Sequence, residues 1–215
     1  MDTSTDAKLS QLFADSSARL YAKGDIIICA GHEPEGIMLI EQGVVEQYDL
    51  TPAGNKIVIN RFKPQAFFPM SWAINKTPNI YFYSATTSVR LRFIHADKAT
   101  DFIRHNSDVA YDLLRRVYSG TDGILRRLVL ASCGSASNRV VYELLNEAYR
   151  FGRPLDDGAL RSISIRQQNV AERSGLARET VSRELHKLEK VGLITHAGHG
   201  LAVSTDGLEQ WLESH

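Results

Sequence analysis

The 215-residue sequence has two cysteines, equal numbers of acidic and basic residues, and no long hydrophobic run. Cys29 and Cys133 do not form a CxxC pair, which argues against a disulfide-stabilised secreted scaffold and a four-thiolate metal or iron–sulfur site. No apolar run is long enough to span a membrane, and the polar start, MDTSTDAKLS, contains no hydrophobic signal core. We therefore expect a cytoplasmic protein that has no membrane partner.

Sequence patterns of the common enzyme classes are missing as well. There is no GxSxG, HExxH or P-loop pattern and no paired-carboxylate arrangement, and the Ser, His and Asp residues are scattered. We expect no enzyme activity and no catalytic residue. Because the net charge is zero, composition does not support nucleic-acid binding, and local clustering of charge must decide that question.

The stretch from about residue 20 to residue 95 is predicted to be rich in β-strands. Glycine- and proline-containing turn signals, such as Gln42-Gly43 and Thr51–Asn55, separate short apolar segments. These segments are Asp25–Cys29, Gly36–Ile40, Val44–Val45, Lys56–Ile59 and Val89–Ile94. Many short strands at this spacing predict a barrel or jelly roll.

A long helix is predicted to follow, because apolar and small residues then alternate in steps of four and three. The positions are Ala110, Leu114, Val117, Thr121, Ile124, Leu128 and Ala131. This heptad seam predicts a homodimer, with Leu114, Val117, Thr121, Ile124 and Leu128 as its central contacts. The small residues from Gly134 to Ser137 predict the end of the helix and a hinge, with Ser137 as the N-cap of the next helix.

Residues 167 to 191 have the pattern of a helix-turn-helix. Asn169–Arg173 predicts a first helix, and Gly175 supplies the tight turn, since glycine tolerates a positive φ. A second helix is predicted over Ala177–Val191, ending at Gly192. The segment from Leu193 to Val203, with its turn at Ala197–Gly200, predicts a β-hairpin that would serve as a wing.

The second helix of this motif presents a charged face to solvent. Its opposite face carries Val181, Leu185 and Leu188, which we expect to be buried. Base-reading residues are predicted to be Arg178, Glu179 and Arg183, because arginine donates two bonds to guanine and glutamate accepts from cytosine. Predicted phosphate contacts are Gln168, Thr180 and Ser182. Alternatively, Glu179 and Arg183, four residues apart, form only a solvated ion pair.

The segment from Gly175 to Leu185, with its continuation from Leu188 to Ile194, resembles the recognition helix of the cyclic-AMP receptor protein/fumarate-nitrate regulator (CRP/FNR) family. The resemblance implies that Arg178, Glu179 and Arg183 read bases, and that Gln168 and Thr180 contact phosphates. It also implies a homodimer on double-stranded DNA, a palindromic operator with TGTGA-like half-sites, and RNA polymerase as a partner.

The resemblance covers nearly the whole chain and implies an α+β fold in three parts. These are a cyclic-nucleotide-binding-like β-roll (jelly roll) as sensor domain over residues 1–107, a dimerisation helix over residues 108–134, and a winged helix-turn-helix over residues 135–215.

The β-roll departs from the family's nucleotide site. Pro69 and Met70 stand where the family's cyclic-nucleotide binders have Gly and Glu, and Asn79-Ile80 or neighbouring residues stand where they have Arg-Ser. Ile124 and Leu125 replace expected polar residues of the dimerisation helix. A cyclic phosphate buried without a cation is strongly disfavoured, so we expect that cyclic AMP is not the effector.

Other cofactors of the family are also disfavoured by the sequence. An iron–sulfur cluster of the usual kind needs four cysteines. A haem would need His32 or His95 as axial ligand, and a redox sensor would need Cys29 or Cys133, but none of these has a distinctive setting. We expect no cofactor and no metal.

A group of aromatic and apolar residues leaves two interpretations open, a pocket for an unknown small-molecule effector or ordinary core packing. The candidate pocket residues are Phe67, Phe68, Met70, Trp72, Tyr81, Tyr83, Ile124 and Leu125. Core packing would favour a ligand-independent regulator, whose β-roll serves only dimerisation or contact with RNA polymerase.

Overall fold

The computed structural model describes residues 3–155, 160–197 and 200–214. The chain divides into two compact units, Met1–Thr121 and Asp122–His215. Within the described residues, no helix is both long and apolar enough to cross a membrane.

The first unit is built around a β-roll, as the sequence predicted. Its strands are β1 (Ala18–Tyr21), β2 (Ile26–Ile28), β3 (Ile37–Gln42), β4 (Val45–Leu50), β5 (Lys56–Phe62), β6 (Phe67–Phe68), β7 (Phe82–Ala85) and β8 (Val89–Ile94). They form two antiparallel sheets, in the orders β1-β8-β3-β6 and β2-β7-β4-β5. The turn between β3 and β4 requires glycine, since a Cβ at Gly43 would lie 2.2 Å from the carbonyl oxygen of Ser88.

The first unit also contains helices. They are α1 (Thr3–Leu12), α2 (Met70–Asn75), α3 (Ala96–His105) and the first part of α4 (Ser107–Cys133), which spans the division between the units. A small apolar cluster joins Phe13 and Ala99 to Ile37 and Leu39 of β3. The helices α1, α2 and α3 have no counterpart in the sequence predictions, whereas α4 matches the predicted long helix closely.

The second unit is a winged helix-turn-helix, as predicted. After the end of α4 it contains α5 (Ala136–Phe151), β9 (Arg153–Leu155), β10 (Leu160–Ile163), α6 (Gln167–Ser174), α7 (Arg178–Lys190), β11 (Ile194–Ala197), β12 (Gly200–Ser204) and α8 (Thr205–Ser214). The strands form one antiparallel sheet in the order β11-β12-β10-β9. β11 and β12 are the predicted hairpin, although Gly198 and His199 of its turn lie outside the described residues.

Only Gly134 and Ser135 separate α4 from α5, and α5 has a side-chain N-cap. The side chain of Ser135, not of Ser137, accepts a hydrogen bond from the backbone N–H of Asn138 at 3.1 Å. The prediction that Ser137 is the N-cap is therefore wrong, because α5 begins one residue before it. Gly134 is packed closely, since a Cβ there would lie 2.7 Å from the carbonyl oxygen of Leu130.

Within the second unit, a buried ion pair connects the end of α4 to α5. Arg127 on α4 donates from Nε to Glu143 Oε1 at 2.6 Å and from Nη2 to Glu143 Oε2 at 2.8 Å. The Glu143 side chain is 1% exposed. Although burial opposes the charged form, the hydrogen bonds and charge of Glu143 raise the pKa of Arg127. Tyr142 adds a hydrogen bond to the carbonyl oxygen of Gly123 at 3.1 Å.

Replacing Glu143 with alanine should destabilise the second unit, because Arg127 would stay buried without the carboxylate that binds it. We expect the free energy of unfolding to fall by about 3–5 kcal/mol. Denaturant unfolding followed by the fluorescence of Trp211, in a Trp72→Phe background, measures this unit. Exposed Glu213→Ala is the control and should change the value by less than about 0.5 kcal/mol. Equal effects of the two substitutions would contradict the role of the ion pair.

Candidate nucleic-acid interface

The turn between α6 and α7 has the backbone geometry of a helix-turn-helix. α6 ends at Ser174, and Gly175 follows with a φ of 63°, in the left-handed region that glycine enters without steric cost. The guanidinium of Arg139, on α5, donates a hydrogen bond to the carbonyl oxygen of Ser174. Leu176 packs against the core, and Ala177 is the N-cap of α7. The predicted turn is thus formed and tied to α5.

The buried face of α7 determines which of its side chains reach solvent. Val181 and Leu188 are fully buried, and Leu185 packs against the same cluster. Ala171 of α6 is buried there too, and its small side chain suits the close approach of two helices. Because these contacts fix the rotation of α7 about its axis, the opposite face is held toward solvent.

The predicted base-reading residues lie on that exposed face. Arg178 and Glu179 occupy the first turn of α7, and Arg183 follows one turn later; all three are exposed. Within the described part of the chain, Arg178 and Glu179 take part in no ion pair. Arg183 donates from Nη2 to Thr180 Oγ1 at 3.2 Å, so the alternative pair between Glu179 and Arg183 does not form. These donors and acceptors are available to a ligand.

The predicted phosphate-contacting residues lie on two helices. Gln168 is exposed on the first turn of α6, where its Nε2 donates to Glu172 Oε1 at 3.0 Å. Thr180 and Ser182 are half-buried on α7. The fold therefore brings Thr180, Ser182 and the base-reading residues onto one helix, while Gln168 stands on the helix before it.

The predicted dimer seam of α4 is exposed along its whole length. Leu114, Val117, Ile124 and Leu128 are between 46% and 60% exposed, and Thr121 is exposed as well. Further large apolar side chains of α4 are uncovered: Tyr111, Tyr118, Leu125 and Val129. Large apolar side chains left exposed in such number on one helix are typical of a protein–protein interface.

Comparison with protein families gives two matches along the chain. Residues 18–106 match the cyclic nucleotide-binding domain, and residues 138–211 match the Crp-like helix-turn-helix domain. The chain belongs to the CRP/FNR family of DNA-binding transcription regulators.

Individual members of the CRP/FNR family are distant relatives. The chain is 24% identical over 188 residues to the CRP-like cAMP-activated global transcriptional regulator of Mycobacterium tuberculosis (strain ATCC 25618 / H37Rv), covering 86% of this chain and 82% of that protein. It is 24% identical to the global nitrogen regulator of Nostoc sp. (strain PCC 7120), over 81% of this chain and 79% of that protein.

Solved structures of the CRP/FNR family share the fold. A transcriptional regulator of this family from Thermus thermophilus has a TM-score of 0.74 and 21% identity, covering 92% of this chain and 99% of that chain. The c-di-GMP responsive global regulator CLP of Xanthomonas campestris has a TM-score of 0.75 and 17% identity, covering 92% and 98%.

The segment aligned with the CRP/FNR nucleotide site is built differently in this chain. Pro69 precedes α2, and Met70 is the first residue of that helix. Asn79, which sequence analysis places at the position of the family's arginine, is 5% exposed and bonds to backbone. Its Nδ2 donates to the carbonyl oxygens of Cys29 at 3.0 Å and Tyr81 at 2.9 Å.

An aromatic stack fills part of the β-roll core. The rings of Phe68 and Tyr83 lie 5.1 Å apart at 15°, and Phe62 stacks on Phe68 at 5.5 Å. Phe68 and Tyr83 are almost fully buried, and burial raises the pKa of the Tyr83 hydroxyl. Tyr81 packs against the same cluster. Three of the predicted pocket residues therefore belong to one core cluster.

The other predicted pocket residues lie elsewhere. Phe67, Met70 and Trp72 pack against the small cluster around Ile37 and Phe13, on the opposite face of β6 from Phe68. Ile124 and Leu125 are exposed on the part of α4 that belongs to the second unit. Within the first unit, the predicted pocket residues thus belong to two different clusters, and Ile124 and Leu125 belong to the second unit.

An open cleft lies beside α2 in the first unit. Its volume is about 600 Å³, and its lining includes Trp72, Lys76, Asn79 and both predicted haem-ligand candidates, His32 and His95. Both histidines are exposed. In the part of the chain that is described, no group of three or more His, Cys, Asp or Glu side chains is arranged to hold a metal ion.

Sequence reasoning missed two glutamates that position the DNA-binding helices. Glu143 and Glu147 are buried on the apolar side of α5 and bind different helices: Glu143 binds Arg127 of α4, and Arg173 of α6 donates to Glu147 Oε2 at 2.6 Å. The available signal was their spacing, since each follows a buried apolar residue by three positions, Val140 and Leu144. Carboxylates on an apolar helix face require basic partners.

Proposed function

We propose that this CRP/FNR-family regulator acts as a homodimer on a palindromic operator with TGTGA-like half-sites. One observation carries the proposal: Arg178, Glu179 and Arg183 are exposed to solvent on the first turns of α7. The opposite face of that helix is packed in the core. The N-terminal end of the second helix is the part of this motif that enters the major groove.

Each exposed side chain has a role that its chemistry suits. Arg178 and Arg183 donate paired hydrogen bonds to guanine O6 and N7, and Glu179 accepts from cytosine N4. Gln168, Thr180 and Ser182 contact phosphates and set the register of the helix on the duplex. Arg183 exchanges its bond to Thr180 for the base, which leaves the threonine hydroxyl for a phosphate.

The exposed seam of α4 supports the homodimer. A parallel pair of such helices about a two-fold axis covers Leu114, Val117, Ile124 and Leu128 with their copies. Two recognition helices must sit about 34 Å apart to enter successive major grooves of one duplex face. A small-molecule effector that prefers one spacing would change operator affinity by shifting that population.

We also propose that cyclic AMP is not the effector. Asn79 offers no positive charge to a cyclic phosphate, and its amide is already bonded to backbone. The stack of Phe62, Phe68 and Tyr83 occupies part of the roll core. The relative from Mycobacterium tuberculosis is named as cAMP-activated and that from Xanthomonas campestris as c-di-GMP responsive, so effectors differ within the family.

The aromatic stack in the β-roll core favours one alternative function. In it, the regulator binds DNA without an effector, and its β-roll serves dimerisation or contact with RNA polymerase. Neither version uses an iron–sulfur cluster, because the chain has only two cysteines, and neither uses haem.

Arg178→Lys tests base reading while it keeps the charge. Lysine lacks the planar fork of arginine, so operator affinity should fall by about 5- to 100-fold. Affinity for a scrambled duplex should stay within about twofold, since phosphate attraction depends on charge. Fluorescence anisotropy with both duplexes measures the two values. An equal loss on operator and scrambled DNA would rule out a base-reading role.

Leu128→Glu tests the seam. The isolated protein should sediment as a dimer at micromolar concentration, and a charge within the seam should make it a monomer. Ile74→Glu, which is exposed on α2 outside the seam, is the matched control and should remain dimeric. A monomeric unmodified protein at that concentration contradicts the proposal.

Cyclic AMP at millimolar concentration should leave the thermal unfolding midpoint unchanged, because a ligand raises it only when it binds the folded state. Titration calorimetry at the same concentration provides an independent measurement. A clear midpoint increase together with saturable heat would show that Asn79 does not prevent nucleotide binding.

A further inference from the structure

Two histidines flank one carboxylate at the end of α7. His186 Nδ1 lies 3.4 Å from Glu189 Oε2, and His196 Nε2, on β11, lies 3.7 Å from Glu189 Oε1. The imidazoles are 71% and 74% exposed, and the Glu189 side chain is 38% exposed. We call these three residues the histidine bridge, since they connect the recognition helix to the wing strand.

The histidine bridge borders the surface that we assign to DNA. His186 continues the exposed face of α7, three residues after Arg183 and four after Ser182, so the three share one stripe of the helix. His196 lies on the hairpin that stands next to the duplex backbone in a winged motif. In the proposed complex, one imidazole thus lies on each of the two elements that face the duplex.

The charge of the histidine bridge depends on protonation. Histidine is the side chain that ordinarily changes charge between pH 5 and pH 8. With both imidazoles neutral, Glu189 gives the bridge one negative charge, which repels phosphate. With both protonated, the bridge carries one positive charge, and Glu189 offsets the repulsion between the two cations. Protonation of both imidazoles therefore changes the charge of the bridge by two units, at a position that the proposal places beside the DNA.

Other charged groups lie around the histidine bridge. On α7, Arg183 and Lys190 lie within one turn of His186, and Lys187 is paired with Glu184 at 2.7 Å. Among the described residues of the hairpin, β11 carries no ionisable side chain besides His196, and the β12 residues paired with it, Gly200–Val203, carry none; His199, in the turn, lies outside the described residues. The basic neighbours add to the attraction for phosphate, and we assign the pH-dependent part of the attraction to the two imidazoles.

We propose that His186 and His196, with Glu189 between them, form a protonation-dependent phosphate contact that strengthens operator binding as the pH falls from 8 to 6. The sign follows from linkage: DNA favours the protonated bridge, so binding takes up protons and is promoted by acid. This inference rests on the proposed function, because it requires α7 to face the duplex.

The test is operator affinity at pH 6, 7 and 8 with fixed salt and a metal chelator, for the full-length protein and His186→Gln/His196→Gln. The unmodified protein should bind about tenfold more tightly at pH 6 than at pH 8, and the double variant should change by less than about twofold. His105→Gln, an exposed histidine of α3, is the matched control and should keep the full dependence.

Two further readouts separate a charge effect from a structural one. The slope of log affinity against log salt should steepen by about 1 to 2 at pH 6 in the unmodified protein and not in the double variant. Glu189→Gln should bind more tightly than the unmodified protein at pH 8, since it removes the negative charge.

The possible outcomes distinguish this inference from the proposed function. Tight operator binding with the same pH dependence in the double variant, or with none in the unmodified protein, overturns the histidine bridge alone. Failure to discriminate operator from scrambled DNA at every pH overturns both.

Discussion

The buried pair of Arg127 and Glu143 is the contact on which the placement of the DNA-binding helices depends. Glu143 and Glu147 lie on the apolar side of α5, and each is matched by an arginine from another helix, Arg127 of α4 or Arg173 of α6. A buried carboxylate is tolerated only with such a partner, so the two pairs specify how the helices meet. The two ion pairs therefore connect the end of α4, α5 and α6, and α7 packs against α5 and α6.

The two halves of the chain differ in how closely they follow the CRP/FNR pattern. In the DNA-binding half, Gly175 and the buried face of α7 reproduce a helix-turn-helix, and Arg178, Glu179 and Arg183 reach solvent. In the β-roll, Asn79, which sequence analysis places at the position of the family's arginine, donates to backbone carbonyl oxygens. The proposal that cyclic AMP is not the effector depends on this difference in the β-roll.

Strong periodicity made the long helix and the helix-turn-helix predictable, because heptad spacing and a glycine turn are local signals. Helix α2 was not predicted because its six residues are too few to show a helical repeat of apolar positions. The N-cap was misassigned because Ser135 and Ser137 both suit a cap, and only the packed start of α5 decides between them. The contact of Arg139 with Ser174 joins residues 35 positions apart, which no local pattern reveals.

Selection of operators from a random duplex pool by the full-length protein tests the central claim most directly. We predict an inverted repeat of TGTGA-like half-sites whose centres lie about 10 base pairs, one helical turn, apart. Such a repeat requires two copies of α7 related by a two-fold axis. Recovery of a single unrepeated half-site, a direct repeat, or no sequence preference would contradict it.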